Sequence, residues 1–199
     1  TMSDSIFDTL SMQAFRAGIK ARTPESEEWF SDKVKELQTP NRRQLLKDPA
    51  LDRRTKVMPG DMYMYFYDPK HKDTLPYYDR FPLTIMVEPA PGGFYGLNLH
   101  YLNPVARARF LNELFKLAPK NINDETRLRK LRYDLLKGVQ KYREFKPCFK
   151  HYLMDHVKSQ FSRVPMTDWE TAIFLPTQQF KKKSARTVWK DSTKIYRNS

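Results

Sequence analysis

The sequence predicts an α+β protein, in which a small antiparallel β-sheet or partial barrel is flanked by N-terminal helices and a C-terminal helical bundle. Three observations support this class. Apolar residues recur at helical spacing before residue 58, strand formers dominate residues 62–102, and helical spacing returns after residue 103. With 199 residues, the chain is long enough for one main domain with its own core. The predicted parts are a single domain (1–180), comprising a helical arm (1–58), a β-core (59–102) and a helical part (103–175), and a basic C-terminal tail (181–199).

Two helices are predicted at the N-terminus, followed by a basic connector. Apolar residues between Ile6 and Ile19 recur at roughly helical spacing, which indicates the first helix. In the second, Thr23 can cap the helix, Pro24 suits its first turn, and the glutamates that follow favour the positive end of the helix dipole. Two prolines then punctuate the connector, which has room for at most one short helix around Leu45.

The β-core begins with "MYMYFY" at residues 62–67, a run of strand formers bounded by the turn residues of "DPKHKDTLP". "FPLTIMVE" indicates a mostly buried strand, "PAPGG" a tight connection whose glycines allow positive φ, and "FYGLNLHYL" a third strand. The pattern therefore predicts three antiparallel strands.

Alternation along the first strand divides its side chains between two faces. The face that we assign to the core carries Met62, Met64 and Phe66. The opposite face carries Tyr63, Tyr65 and Tyr67. Helices can cover this tyrosine face, a partner can contact it, or nucleic-acid bases can stack on it. We expect the tyrosine face to be a contact surface.

Helical signals return after the strands. Asn103 and Pro104 mark the start of a helix, and Pro119 ends it. The next segment, "DETRLRKLRYDLLKGVQKYREF", has an inner leucine stripe that ends at Val139 and a positively charged flank. The flank residues predicted to contact DNA or a partner are Arg127, Arg129, Lys130 and Arg132.

A further amphipathic helix is predicted over "KPCFKHYLMDHVKSQFSRV", because apolar residues recur every four positions from Phe149 to Phe161. The segment "MTDWETAIFL" follows, and Thr167 and Glu170 in it have the spacing of a capping box. Pro176 ends the helical part.

Net charge is the strongest compositional feature of the chain. Lys and Arg number 36 against 23 Asp and Glu, and the resulting charge of +13 predicts attraction to polyanions. Nucleic acid is the leading partner class, and an acidic protein partner is the alternative.

The C-terminal tail concentrates this charge, because seven basic residues stand against one acid, Asp191, for a local charge of +6. With few apolar residues to bury, the tail is expected to be mobile in the free chain and to dock on a neighbour through Trp189, Ile195 and Tyr196. The tail residues predicted to contact nucleic acid or a partner are Lys181, Lys182, Lys183, Arg186, Trp189 and Lys190.

The sequence contains no phosphate-binding loop or nucleophile elbow, and its four histidines lack ligand spacing. A metal-dependent nuclease is an alternative, because Asp68, Asp79 and Glu88 lie around the first two strands. The commoner explanation for these three acids is that they cap turns and pair with nearby basic side chains. Cys148, the single cysteine, is expected in the core. We expect no enzyme activity, metal, cofactor or small-molecule substrate.

The sequence also indicates where the chain is made. One cysteine cannot form an internal disulfide, which fits synthesis in a reducing cytoplasm. No run of eighteen apolar residues occurs, and the N-terminal residues do not resemble a signal peptide. No membrane partner is expected.

Five segments form a linked pattern from about Trp29 onward: "MYMYFYDPKHKDTLPYYDRFPL", "GGFYGLNLHYLNP", "FKPCFKHYLMDHV", "WETAIFLPTQQF" and "VWKDS". This pattern resembles accessory virion proteins of large contractile-tailed, myovirus-type bacteriophages. Among these proteins, the DNA end protector is the specific type that we consider. The resemblance implies a non-enzymatic protein, made in the host bacterial cytoplasm and carried in the virion, which contacts packaged DNA or completes the head-tail assembly beside other virion subunits. It carries over no catalytic residue. The alternatives are a purely structural baseplate, neck or tail subunit without DNA contact, and the metal-dependent nuclease.

Overall fold

A computed structural model describes residues 5–116, 134 and 136–198 of the chain. Its helices are α1 (Ile6–Arg16), α2 (Pro24–Lys35), α3 (Arg42–Leu45), α4 (Pro104–Lys116), α5 (Phe145–Cys148), α6 (Trp169–Phe174) and α7 (Ala185–Arg197). Its strands are β1 (Asp52–Arg54), β2 (Met62–Met64), β3 (Tyr78–Asp79), β4 (Leu83–Ala90), β5 (Gly93–Asn98), β6 (Phe149–Leu153), β7 (Phe161–Val164) and β8 (Phe180–Lys181). Within these ranges, no helix is long and apolar enough to cross a membrane.

One antiparallel sheet organises the described residues. Its six strands follow the order β1-β7-β2-β4-β5-β6, and β3 pairs separately with β8. The sheet does not close into a barrel, and helices accompany it, so the predicted α+β class is confirmed. The three predicted strands correspond to β2, β4 and β5, while β1, β6 and β7 come from outside the predicted β-core.

The helix predicted from Phe149 to Phe161 is wrong, because this segment forms β6, a 3-10 turn and β7. A repeat of four residues fits one face of a helix, but it fits one face of a strand equally well, because four is a multiple of the strand period of two. Pairing decides between them. β6 pairs with β5, and β7 lies between β1 and β2.

Helix start signals acted as predicted at two places. In α2, Thr23 and Ser26 cap each other, with Ser26 N–H donating to Thr23 Oγ1 (3.2 Å) and Thr23 N–H to Ser26 Oγ (2.9 Å), and Pro24 occupies the first turn. At α4, the Asn103 side chain accepts a hydrogen bond from Ala106 N–H (2.9 Å).

The capping box predicted at Thr167 is wrong. No side chain caps α6, and the Glu170 carboxylate instead accepts hydrogen bonds from Ser26 Oγ (2.9 Å) and from the Arg22 N–H. Glu170 therefore joins α6 to the start of α2, a long-range role that the local spacing does not reveal.

Side chains on the two faces of the sheet enter two separate cores. Met62 and Met64 are buried in the main core under the helices, and Phe66 packs against it, so the predicted core face is confirmed. The tyrosine face builds a second core, which consists of Tyr63, Tyr65, Tyr67, Met86, Phe94, Tyr152 and Phe161.

The expectation that the tyrosine face is a contact surface is therefore wrong. Tyr63, Tyr65 and Tyr67 are 1%, 0% and 6% exposed. Phe161 and Tyr152, from strands that the sequence pattern did not predict, meet the Tyr65 ring edge-to-face with centroids 4.9 and 5.6 Å away. Such aromatic contacts stabilise a core, and they leave no free ring face for a base.

The predicted basic flank lies outside the described residues, and it consists of Arg127, Arg129, Lys130 and Arg132. At the end of the same predicted helix, residues 136–139 are helical, and Val139 is fully buried as the stripe predicts.

Candidate nucleic-acid interface

The C-terminal segment is a docked helix, so the expectation of a mobile tail is wrong. Ser184 caps α7 by accepting a hydrogen bond from Thr187 N–H (3.2 Å). Val188 is fully buried and Trp189 is half-buried, with its indole Nε1–H donating to the His100 carbonyl (2.9 Å). Trp189 thus docks on its own chain, and not on a neighbour.

Docking one face of α7 leaves four cations on its exposed side. Positions 186, 190, 194 and 197 share one face of a helix, because they are separated by four, four and three residues. All four side chains are exposed, and none forms an ion pair or a side-chain hydrogen bond with another residue that the structure describes. We call this set the α7 basic stripe, and it consists of Arg186, Lys190, Lys194 and Arg197.

The other three predicted tail cations have structural contacts. Lys181 lies in β8, opposite Tyr78 of β3. Lys182 donates from Nζ to two carbonyls of the loop at residues 72–75. Lys183 lies 3.5 Å from an Asp191 carboxylate oxygen.

Of the basic tail residues predicted as contacts, only Arg186 and Lys190 belong to the α7 basic stripe. The prediction did not include Lys194 and Arg197 among the contacts, although both belong to the basic tail. Their helical spacing from Arg186 is the signal that would have found them.

A buried polar network lies beneath the docking site of α7. The Asp79 carboxylate accepts four hydrogen bonds, from the N–H groups of Phe81 (3.0 Å) and Gln179 (2.9 Å), Asn98 Nδ2 (3.0 Å) and His100 Nδ1 (2.8 Å). Because an ionised carboxylate can only accept, the His100 Nδ1 carries the proton.

The far side of the His100 ring completes this arrangement. Its Nε2 accepts a hydrogen bond from the Thr177 hydroxyl (3.1 Å). Burial lowers the pKa of His100, and the attraction of Asp79 only partly opposes this shift. Burial by itself would raise the pKa of Asp79, but His100 and the surrounding donors lower it overall. The pair is therefore a neutral imidazole beside an ionised carboxylate.

Arg107 of α4 holds the backbone around this network. The side chain is fully buried, with Nε donating to the carbonyls of Leu99 (2.9 Å) and Leu102 (2.7 Å), and Nη1 donating to that of Ile173 (2.8 Å). Burial lowers the pKa of Arg107 to about 10. The guanidinium also lies 5.6 Å from the ring centroid of Trp189, which places it directly beneath α7.

The candidate nuclease acids do not form a metal site. The donors around Asp79 occupy its carboxylate, Asp68 pairs with Lys72 (3.2 Å), and Glu88 is exposed on β4. Among the residues described, no group of three or more His, Cys, Asp or Glu side chains could hold a metal ion. Cys148 is fully buried in the core, as predicted, and burial raises the pKa of its thiol to about 12.

The sequence was compared with models of known protein families. The family model described as Phage T4 terminal DNA protecting protein matches residues 4–198. Neither the curated proteins nor the solved structures contain a match to the chain. The matched span includes the sheet, the Asp79 network and the α7 basic stripe.

Proposed function

The chain belongs to the phage T4 terminal DNA protecting protein family, and from this premise we propose that it binds the ends of phage DNA and shields them. Protection is by occupancy: the bound protein covers the terminus, and no bond is made or broken. The protein acts in the virion, where packaged DNA has ends to protect.

The observation that carries the DNA contact is the α7 basic stripe. From Arg186 to Arg197 the stripe spans about 16 Å, at about 1.5 Å per residue of helix. This length matches about five base pairs of B-DNA at about 3.4 Å each. Four exposed cations without acidic partners in the described residues favour a phosphate backbone, which offers regularly spaced negative charge.

Salt dependence of binding tests the stripe. Each phosphate contact contributes about −0.9 to the slope of log K against log salt, so replacing all four cations with glutamine should make the slope shallower by about 3.6. In the native protein these contacts alone correspond to an affinity loss of about 150-fold between about 50 and 200 mM salt. Other basic residues that contact DNA would add to this loss.

A charge-matched variant controls for the loss of net charge. It replaces four exposed cations on other helices and connecting segments, which are Arg16, Lys20, Lys35 and Arg109. The slope of log K against log salt should become shallower in the stripe variant and stay unchanged in the control variant. Equal slopes in both variants would exclude α7 as the DNA contact.

Protection of ends is tested with two forms of the same DNA. Linear duplex and a covalently closed circle of identical sequence are compared for binding, and the linear form is then challenged with an exonuclease. We expect preference for the linear form and slower digestion. Equal binding to both forms without protection would contradict the proposed function. Cleavage of DNA that depends on added magnesium or manganese would instead favour the nuclease alternative.

We propose that contact with another virion subunit uses α1. Phe15 is 80% exposed and Met12, one turn before it, is 52% exposed, so the two side chains form an exposed apolar pair on α1. Phe15→Ser should reduce incorporation into particles, while Val105→Ser, at another exposed apolar residue, should not. Normal incorporation of the Phe15 variant would contradict this role. Incorporation without any DNA binding by the native chain would favour the purely structural alternative.

A further inference from the structure

A basic cleft of about 370 Å³ lies at the β1 edge of the sheet. Asp52, Arg163 and Tyr63 lie opposite one another on β1, β7 and β2, so the cleft opens on the tyrosine face of the sheet. Its walls include Arg54, Thr55 and Lys56. The second core thus ends at this edge in a concave surface lined with cations.

Arg163, which lines the cleft, forms an ion pair with Asp52 of β1. The Arg163 guanidinium donates to the Asp52 carboxylate, from Nε at 3.1 Å and also from Nη2. Arg54 Nη2 lies 3.6 Å from the same carboxylate. These two arginines share the charge of Asp52, which lies beside the cleft, and the acid in the lining, Asp61, is buried with 2% exposure. Because Arg54, Lys56 and Arg163 outnumber Asp52 and Asp61, the net charge in and beside the cleft is positive.

Hydrogen-bond donors at Thr55 and Lys56 have no partner in the part of the chain that the structure describes. These donors are two backbone N–H groups, the Thr55 hydroxyl and the Lys56 ammonium. Both residues line the cleft and are exposed. The cleft therefore combines positive charge with several donors, which is the chemistry that binds an oxyanion.

We propose that this cleft binds the terminal phosphate monoester of a DNA strand, an inference that rests on the proposed function. A monoester carries a charge of about −1.5 to −2 and three acceptor oxygens, whereas an internal phosphodiester carries about −1. A strand end can enter a concave site, but an internal phosphate has a sugar on both sides. The cleft thereby distinguishes ends from interior DNA, which the α7 basic stripe cannot do, because backbone phosphates repeat identically along the duplex.

Hairpin duplexes with one open end provide the test. Three hairpins of the same sequence carry a 5′-phosphate, a 3′-phosphate or only hydroxyls at that end, and their affinities for the full chain are compared. We expect at least one phosphorylated hairpin to bind about tenfold more tightly than the hydroxyl form, as for charge-assisted hydrogen bonds. Inorganic phosphate should remove this preference, and chloride at equal ionic strength should not.

Two double variants with equal charge locate the site. Arg54→Gln with Lys56→Gln should abolish the phosphate preference, while Lys47→Gln with Arg53→Gln, at exposed residues that do not line the cleft, should keep it. Loss of the preference in both variants, or in neither, would overturn the assignment to the cleft. These substitutions lie near β1, at one edge of the sheet. Helix α7 packs on α5, which leads into β6 at the other edge of the sheet.

The outcomes separate this inference from the proposed function. Preference for linear over circular DNA without any effect of the terminal phosphate would overturn the assignment of phosphate binding to the cleft. It would leave the proposed end protection in place. No preference for linear DNA would overturn the proposed function. Both comparisons use the native chain, so they do not depend on the folding of any variant.

Discussion

Replacing Arg107 with methionine should destabilise the protein by about 3 kcal/mol. Methionine fills much of the space of the aliphatic stem but supplies no donor. The Leu99 carbonyl keeps a hydrogen bond from Leu102 N–H (3.1 Å), whereas the carbonyls of Leu102 and Ile173 lose the donor that Arg107 provides. Two unsatisfied buried carbonyls cost about 1–3 kcal/mol each, and removal of a buried charge offsets part of this loss.

Urea denaturation followed by circular dichroism measures this change in the free energy of unfolding. Arg109→Met, at an exposed position on the same helix, is the matched control and should change stability by less than about 0.5 kcal/mol. A loss below about 1 kcal/mol for Arg107→Met would refute the reasoning, because the orphaned carbonyls would then have found other donors or water.

Acid should destabilise the protein below about pH 6.5, because the pKa of His100 is lowered by folding and the unfolded chain therefore binds its proton first. Tm, measured from neutral pH to about pH 5, should decline less steeply for His100→Asn than for the native chain. Identical declines would contradict the role of His100 in acid destabilisation. Truncation after Phe180 should lower Tm by at least about 4 °C, since α7 buries Val188 and packs Trp189, and an unchanged Tm would mean that α7 adds nothing to the fold. Cys148 should react with a thiol reagent only when the chain unfolds, because burial raises the pKa of its thiol to about 12; rapid labelling of the native protein would contradict this.

Local signals explain the parts of the fold that the sequence predicts. The cap at Thr23, the start of α4 after Asn103 and the hairpin of β4 and β5 depend on residues within a few positions of one another. Alternation along β2 likewise separates Met62 and Met64 from the tyrosines, because the strand period depends only on the backbone. The linked residue pattern also indicated the phage protein class, and the family match confirms it.

For the candidate interface, the sequence identified the basic C-terminal segment but not its conformation. A charge count cannot show that α7 docks through Val188 and Trp189, because docking requires a surface built by residues far away in the chain. Once the helix is docked, its orientation determines that Arg186 and Lys190 face outward together, while Lys182 donates to a loop.

The sequence by itself determined the α+β class, the N-terminal helices, the central strands and the excess of positive charge, because composition and short-range periodicity are enough for these. Tertiary structure decided the fate of the segment from Phe149 to Phe161, whose spacing of four satisfies both a helix and a strand. It also decided that the tyrosine face is a core. An alternating strand specifies which side chains share a face, but burial of that face depends on Tyr152 and Phe161, which only long-range strand pairing brings to Tyr65.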